Sequence, residues 1–292
     1  MANTLNTGVY KEEWTVRLQE RLNRPVNWKD VCDVIYTDSQ IVNVPYMSTV
    51  FSVQTGTRGS AYGFSDFALT NETLTVNTYR TVPVYVDYAD LAQCQYANQM
   101  EIADRQAALI NENIEAGVLD DHTSWTNIGD SAGVITSGVT GAITVSANNI
   151  DDIVRGTRRI VAVANGEEMM NRYGLFFVWG PTHFEFLEQF AQANGFNLAD
   201  VALKNGISRG YELLGATHYI SNDNVANHVF AGVKKLMKVG ILNTTYGKLY
   251  QKDEPANADG QLSGVSMTAR VDYGTLVPTG YSTLLYDINV GN

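Results

Sequence analysis

The stretch VPVYVD, residues 82–87, runs without a break into YADLAQCQYANQMEIADRQAALINENIEA, residues 88–116, and this junction decides the fold. Val82, Val84 and Val86 alternate with Pro83, Tyr85 and Asp87, the period of a half-buried strand. Pro83 cannot donate to a ladder, so the strand belongs at a sheet edge. From Tyr88 the period changes. Ala89, Ala92, Tyr96, Met100, Ala103, Ala107, Ile110 and Ile114 recur at spacings of three and four, which puts them on one helical face. Neither Gly nor Pro interrupts the pattern before Gly117, where the sequence predicts a cap. At the usual rise per residue the helix is roughly 40 Å long. Its stripe is narrow and Ala-rich, so it lies against a sheet or a neighbour without being enclosed. One helix with few Leu is a poor coiled coil.

Upstream, residues 48–80 are about half Ser, Thr, Asn and Gly, with glycines at 56, 59 and 63. Val50, Phe51, Val53, Val76 and Tyr79 bracket this polar centre, which reads as a long β-hairpin. It has too few apolar residues for a buried face of its own, and an isolated hairpin is marginal in water. Either it is a mobile flap, which composition favours, or it lies on another subunit. Further upstream, Trp14, Leu18 and Leu22 mark an amphipathic helix over 11–23, closed by Pro25. Residues 24–45 show no strong period. This segment is an arm or a helix packed on its own domain; pattern alone does not choose.

Downstream, Gly-, Thr- and Val-rich residues 129–148 read as a second hairpin. Asn149 then caps a helix from Ile150 to about Ala164, with Ile153, Val154, Ile160 and Val161 on its apolar face. Its polar face carries Arg155, Arg158 and Arg159. Asp151, Asp152, Glu167 and Glu168 flank that face and neutralise it. Leu175–Trp179 is a continuous apolar strand, and Gly180-Pro181 turns it into an amphipathic helix ending at Asn194-Gly195. Strands are expected at 211–220, 228–232, 264–273 and 281–290. The fold class is α+β: arm, long hairpin, long helix and a compact C-terminal α/β lobe.

Composition narrows the function. At 292 residues, 45% hydrophobic and 17% charged, the chain is globular rather than disordered. A formal charge of −11 disfavours nucleic-acid recognition, which needs clustered Lys and Arg. The acids concentrate in the middle, where Asp90, Glu101, Asp104, Glu112 and Glu115 face only Arg105 over residues 88–119. Cys32 and Cys94 are two scattered thiols, giving neither a disulfide framework nor a metal spacing. The N-terminus lacks the basic start and apolar core of a signal peptide, and a cytoplasmic product is expected.

Catalytic patterns are present but misplaced. The nucleophile-elbow pattern G-x-S-x-G occurs at Gly129–Gly133 and again at Gly206–Gly210, with Asp223 and His228 following the second copy in triad order. The elbow works only on a strained strand-to-helix turn, and both copies lead into β-like sequence. Neither Ser131 nor Ser208 is therefore expected to be a nucleophile. His122, His183, His218 and His228 stand alone in sequence, without metal-ligand spacing. Asp120-Asp121-His122 could touch a metal but reads more simply as a connecting loop. No catalytic residue, cofactor or metal is expected.

The order of elements resembles a known family. Arm, polar hairpin, Val-Pro-Val-Tyr-Val-Asp strand and uninterrupted helix resemble the N-terminal arm, extended loop and spine helix of the Hong Kong ninety-seven-type capsid fold of tailed bacteriophages. Tyr173 through Pro181 is similar to its strand-Pro-helix step. The passage from Gly206-Ile207 to Ser221-Asn222 and the run Arg270 to Pro278 resemble its later strands. The resemblance implies a major capsid protein, and not an enzyme. It implies an arm at 1–47, an extended loop at 48–82, a peripheral domain with the spine helix at 83–169, and a mainly axial domain at 170–292 whose closing strands return to the peripheral domain.

It further implies self-assembly as hexamers and pentamers into an icosahedral shell around double-stranded DNA held without sequence-specific contacts, with no membrane partner. The protein would reside in the virion, and in the host cytoplasm during assembly. The hairpin then lies over a neighbour, with Arg58, Tyr62, Phe64 and Phe67 as intersubunit contacts. A short arm implies a separate scaffolding protein, with a portal as further partner. Some family members weld subunits through a loop lysine; this chain has no Lys between Lys29 and Lys204. The alternatives are an encapsulin-type cargo shell of the same fold and a serine esterase.

Overall fold

The computed structural model describes residues 27–47, 53, 56, 58–59, 63, 68–87, 96–193, 211–224, 226–242, 248–252 and 264–291. The helix expected over 11–23 and the pattern at 206–210 lie outside them. The first elements are α1 (Asn27–Val31), β1 (Asp33–Thr37), β2 (Ile41–Met47), β3 (Leu69–Thr75), β4 (Thr78–Asp87) and α2 (Tyr96–Asp120). A 3₁₀ turn (Asp121–Ser124) leads to β5 (Thr126–Ser131), β6 (Val134–Ser137), β7 (Ile143–Thr144), α3 (Ile150–Val163), α4 (Glu167–Tyr173), β8 (Leu175–Trp179) and α5 (Pro181–Ala193). Then come β9 (Tyr211–Leu213), β10 (Ala216–Ile220), β11 (His228–Val233), β12 (Lys238–Leu242), β13 (Lys248–Lys252), β14 (Gly264–Leu276) and, after a second 3₁₀ turn (Thr279–Leu284), β15 (Leu285–Gly291).

Two larger sheets organise these elements. In the five-stranded sheet, β14 is the hub: it pairs antiparallel with β4, β12 and β13, and β1 joins β12 in parallel. Pro83 faces Thr268, and among the described residues β4 has no second partner strand, so the edge expected from that proline is real. The long helix α2 packs on β4 and β14, burying Ala107, Ile110, Ile114 and Val118. Gly117 does not end it. The helix continues to Asp120 because the missing side chain lets it approach β14; a Cβ there would run into the Tyr273 hydroxyl. Close approach outweighs the helix cost of glycine, about 1 kcal/mol.

The eight-stranded sheet runs β6-β5-β15-β11-β8-β10-β9, with β7 added beside β15. Its centre is β8, every residue of which is buried, as the unbroken apolar run required. Helices α3, α4 and α5 cover it. Asn149 takes the N-cap position of α3, but its side chain serves the preceding turn, accepting from Ser146 N at 2.8 Å and donating to Thr144 O at 2.7 Å. Arg155 pairs with Asp151 and Asp152, and Arg159 donates to Ile135 O at 2.8 Å, so two of the three arginines on this face are engaged within the chain.

Both larger sheets draw on residues either side of position 170. Strands β5 to β7 and α3 belong with the eight-stranded sheet, as does β15, while β12 to β14 return to the five-stranded one. Segment 24–45, without a period in sequence, holds α1, β1 and most of β2. Short α1 is stopped by Lys235, whose Nζ donates to Lys29 O at 2.6 Å and Cys32 O at 2.8 Å. Among the described residues no helix is long and apolar enough to cross a membrane.

Candidate functional site

The third sheet is the two-stranded arm β2–β3, paired from Ile41↔Thr75 to Met47↔Leu69. The ladder begins upstream of the residue-48 boundary expected from composition, because Ile41, Val42 and Val44 supply β-branched partners for Thr75, Leu74 and Glu72. Its root is anchored. Leu74 and Val76 are fully buried, and Leu74 fills the space that the absent side chain of Gly240 leaves on β12. Val76 N donates to Gln40 O at 2.8 Å, and the Glu72 carboxylate accepts from Thr279 N at 3.0 Å.

Beyond the root the anchoring stops. Leu69, Thr70, Asn71 and Thr73 are exposed on β3, and no residue of β2 with a described side chain is buried. Leu69 is 63% exposed and Ile41 57%. Arg58 lies exposed in a turn with Gly59, while Tyr62, Phe64 and Phe67 fall outside the described residues. The arm is thus a ladder held at one end, with apolar side chains facing water.

The first G-x-S-x-G copy forms a hairpin turn. Ser131 ends β5, Ala132 and Gly133 have φ of 54° and 82°, and Gly133 N donates to Asp130 Oδ1 at 2.8 Å before β6 begins. This strand-turn-strand context is the one the flanking sequence predicted, and it lacks the elbow's helix.

The histidines do not all stand alone. The sequence reading fails for two of them: His122 and His228 meet at Asp287. His122 Nδ1 lies 2.9 Å from Asp287 Oδ2, and His228 Nδ1 lies 2.7 Å from Asp287 Oδ1. The residues come from the turn after α2, from β11 and from β15, so no local spacing could have disclosed them. His228 Nδ1 is held by Asp287, not by Asp223 of the triad order. His218, by contrast, is structural. Trp179 Nε1 donates to its Nδ1 at 2.9 Å, its Nε2 faces Leu213 O at 3.1 Å, and burial pushes its imidazole down to about 4.

No protein-family model matches the sequence, and no curated protein is similar to it in sequence. Solved structures are similar in fold. A chain from Mycobacterium phage Che8 is 14% identical with a TM-score of 0.62, covering 86% of this chain and 85% of its own. The capsid of an empty GTA particle is 15% identical with a TM-score of 0.62, over 92% of both chains. The virus-like particle from Pyrococcus furiosus is 12% identical with a TM-score of 0.54, over 95% of this chain and 98% of that one. The chain has the Hong Kong ninety-seven-type capsid fold, of class α+β, as the order of its elements implied.

Proposed function

We propose that this chain is the major capsid protein of a tailed bacteriophage, self-assembling as hexamers and pentamers into an icosahedral shell around double-stranded DNA, with a structural rather than enzymatic role. The observation that carries the reading is the β2–β3 arm, anchored by Leu74 and Val76 and exposed from Leu69 to Asn71. A two-stranded ladder with apolar side chains in water is marginal by itself and gains stability when laid on a neighbour. The loop beyond it would supply Tyr62, Phe64 and Phe67 as aromatic anchors. Arg58 would pair with an acid on the neighbour, such as one on its α2.

The five-stranded sheet with α2 would form the peripheral domain, and the eight-stranded sheet the axial one. The acidic composition supports a shell that encloses DNA without gripping it. A separate scaffolding protein and a portal complete the assembly.

The test replaces residues 56–67 by a short Gly-Ser turn. The shortened protein should stay folded and fail to close shells in sedimentation and electron microscopy; full-sized shells from it would remove the interlocking arm. A cargo shell of the encapsulin type, of the same fold, is the second reading, and the likeness to a virus-like particle over 95% of this chain is compatible with either shell. Particles purified from cells separate the two. DNase-protected double-stranded DNA supports the capsid, and a co-purifying enclosed enzyme supports the cargo shell.

A further inference from the structure

The His122, His228 and Asp287 cluster is explained neither by the fold nor by assembly. Asp287 on β15 lies opposite Phe230 on β11, so His228, two residues earlier, is its diagonal neighbour on the same sheet face. His122 arrives from the 3₁₀ turn that ends α2, bringing the two imidazole centroids within 5.0 Å at an interplanar angle of 44°. One ligand atom from each of the three residues lies within 4.8 Å of the others. The Asp287 side chain is 3% exposed, whereas His122 and His228 keep 16% and 23%. The carboxylate forms the floor, the imidazoles form the walls, and the open side faces solvent. Phe230, fully buried, backs the cluster with its ring centroid 5.6 Å from that of His122.

We propose that these three residues bind one divalent transition-metal ion of the zinc class. Two imidazole nitrogens and one carboxylate oxygen suit Zn²⁺, Co²⁺ or Ni²⁺, whereas Mg²⁺ and Ca²⁺ favour all-oxygen shells. Both Nδ1 atoms already point at Asp287. In the metal-free protein each Nδ1 carries its proton and donates to the carboxylate. Binding requires the tautomer with the ring proton on Nε2, so that the Nδ1 lone pair faces the ion. Water fills the remaining position on the solvent side. The ion ties the end of α2 to β11 and β15, joining segments separated by 165 and 59 residues. Its binding adds to the stability of the folded chain by mass action.

The proposal is independent of the shell reading and is tested on the full chain, stripped with EDTA and titrated with Co²⁺ or Zn²⁺ at neutral pH. The expected result is one ion per chain, visible d–d absorption with Co²⁺, and a raised melting temperature with Zn²⁺. His122→Gln and His228→Gln should each weaken binding on the order of tenfold or more. His183→Gln, on α5, should leave it unchanged. His122 sits in a turn, so its variant keeps the test decisive if the β11 variant folds poorly. The proposal is overturned if the stripped parent shows neither absorption nor a melting shift, which makes the cluster only a hydrogen-bonded carboxylate. It is equally overturned if the signal persists at full strength in both His122 and His228 variants.

Discussion

His218 lies between Phe177 and Trp179 with both ring nitrogens engaged, and burial pushes its imidazole from 6.5 down to about 4. The unfolded chain therefore takes up a proton that the folded chain refuses over that window. Stability is lost as pH falls from about 6.5 towards 4, by on the order of 3 kcal/mol in all. Buried Glu115 and half-buried Asp121, raised by desolvation, act with the opposite sign and favour the fold as pH falls. The His218 share is thus read as a difference. Urea midpoints of the parent should drop more between pH 7 and pH 4.5 than those of His218→Gln. Equal drops would mean that His218 is protonated in the folded state. Gly117 gives a second residue-scale expectation. Gly117→Ala normally stabilises a helix by about 1 kcal/mol, but here it should destabilise, and adding Tyr273→Phe should recover much of the loss. A stabilising Gly117→Ala would contradict the close packing of α2 on β14. Neither effect is legible in sequence, where His218 is a lone histidine and Gly117 reads as a cap. Likewise nothing local joins His122 to Asp287, which meet only after the sheet is built.

Elements were legible where the chain carries its own period. The stripe of α2 at Ala107, Ile110 and Ile114, the buried run of β8, the start of α3 after Asn149 and the edge character of β4 all follow from spacing and from single residues such as Pro83. Elements whose reason is a distant partner were not. β1 has no alternation to speak of and exists because β12, some two hundred residues on, offers a parallel edge; the pairing Asp33↔Lys238 even carries an ion pair at 2.7 Å. The arm's ladder began earlier than composition suggested for the same reason, since its root is fixed by Gly240 and Gly274 on strands far downstream. The stripe itself can be tested with adjacent alanines, Ala107 buried and Ala108 exposed. Ala107→Leu should cost ~1–3 kcal/mol by overpacking against the sheet. Ala108→Leu should stay within about 0.5 kcal/mol. Equal costs in chemical unfolding would put the wrong face of α2 against β4 and β14.

At the scale of the whole molecule, the chain closes its core but leaves the β2–β3 arm held at its root alone and exposed from Leu69 to Asn71, and it carries acidic charge with no basic stripe. A subunit that interlocks with copies of itself and encloses a polyanion without holding it has use for both features. The order of elements was enough to imply the capsid fold, although no single motif in the sequence carries it. The make-up of the sheets was less legible, because β5 to β7 pair with β15, a strand far downstream. The most direct measurement is electron microscopy, with sedimentation velocity, of the purified full chain at high protein concentration. The account predicts closed shells of uniform size built from five- and six-membered capsomers. A monodisperse monomer at every concentration, with or without co-expressed assembly partners, would contradict it.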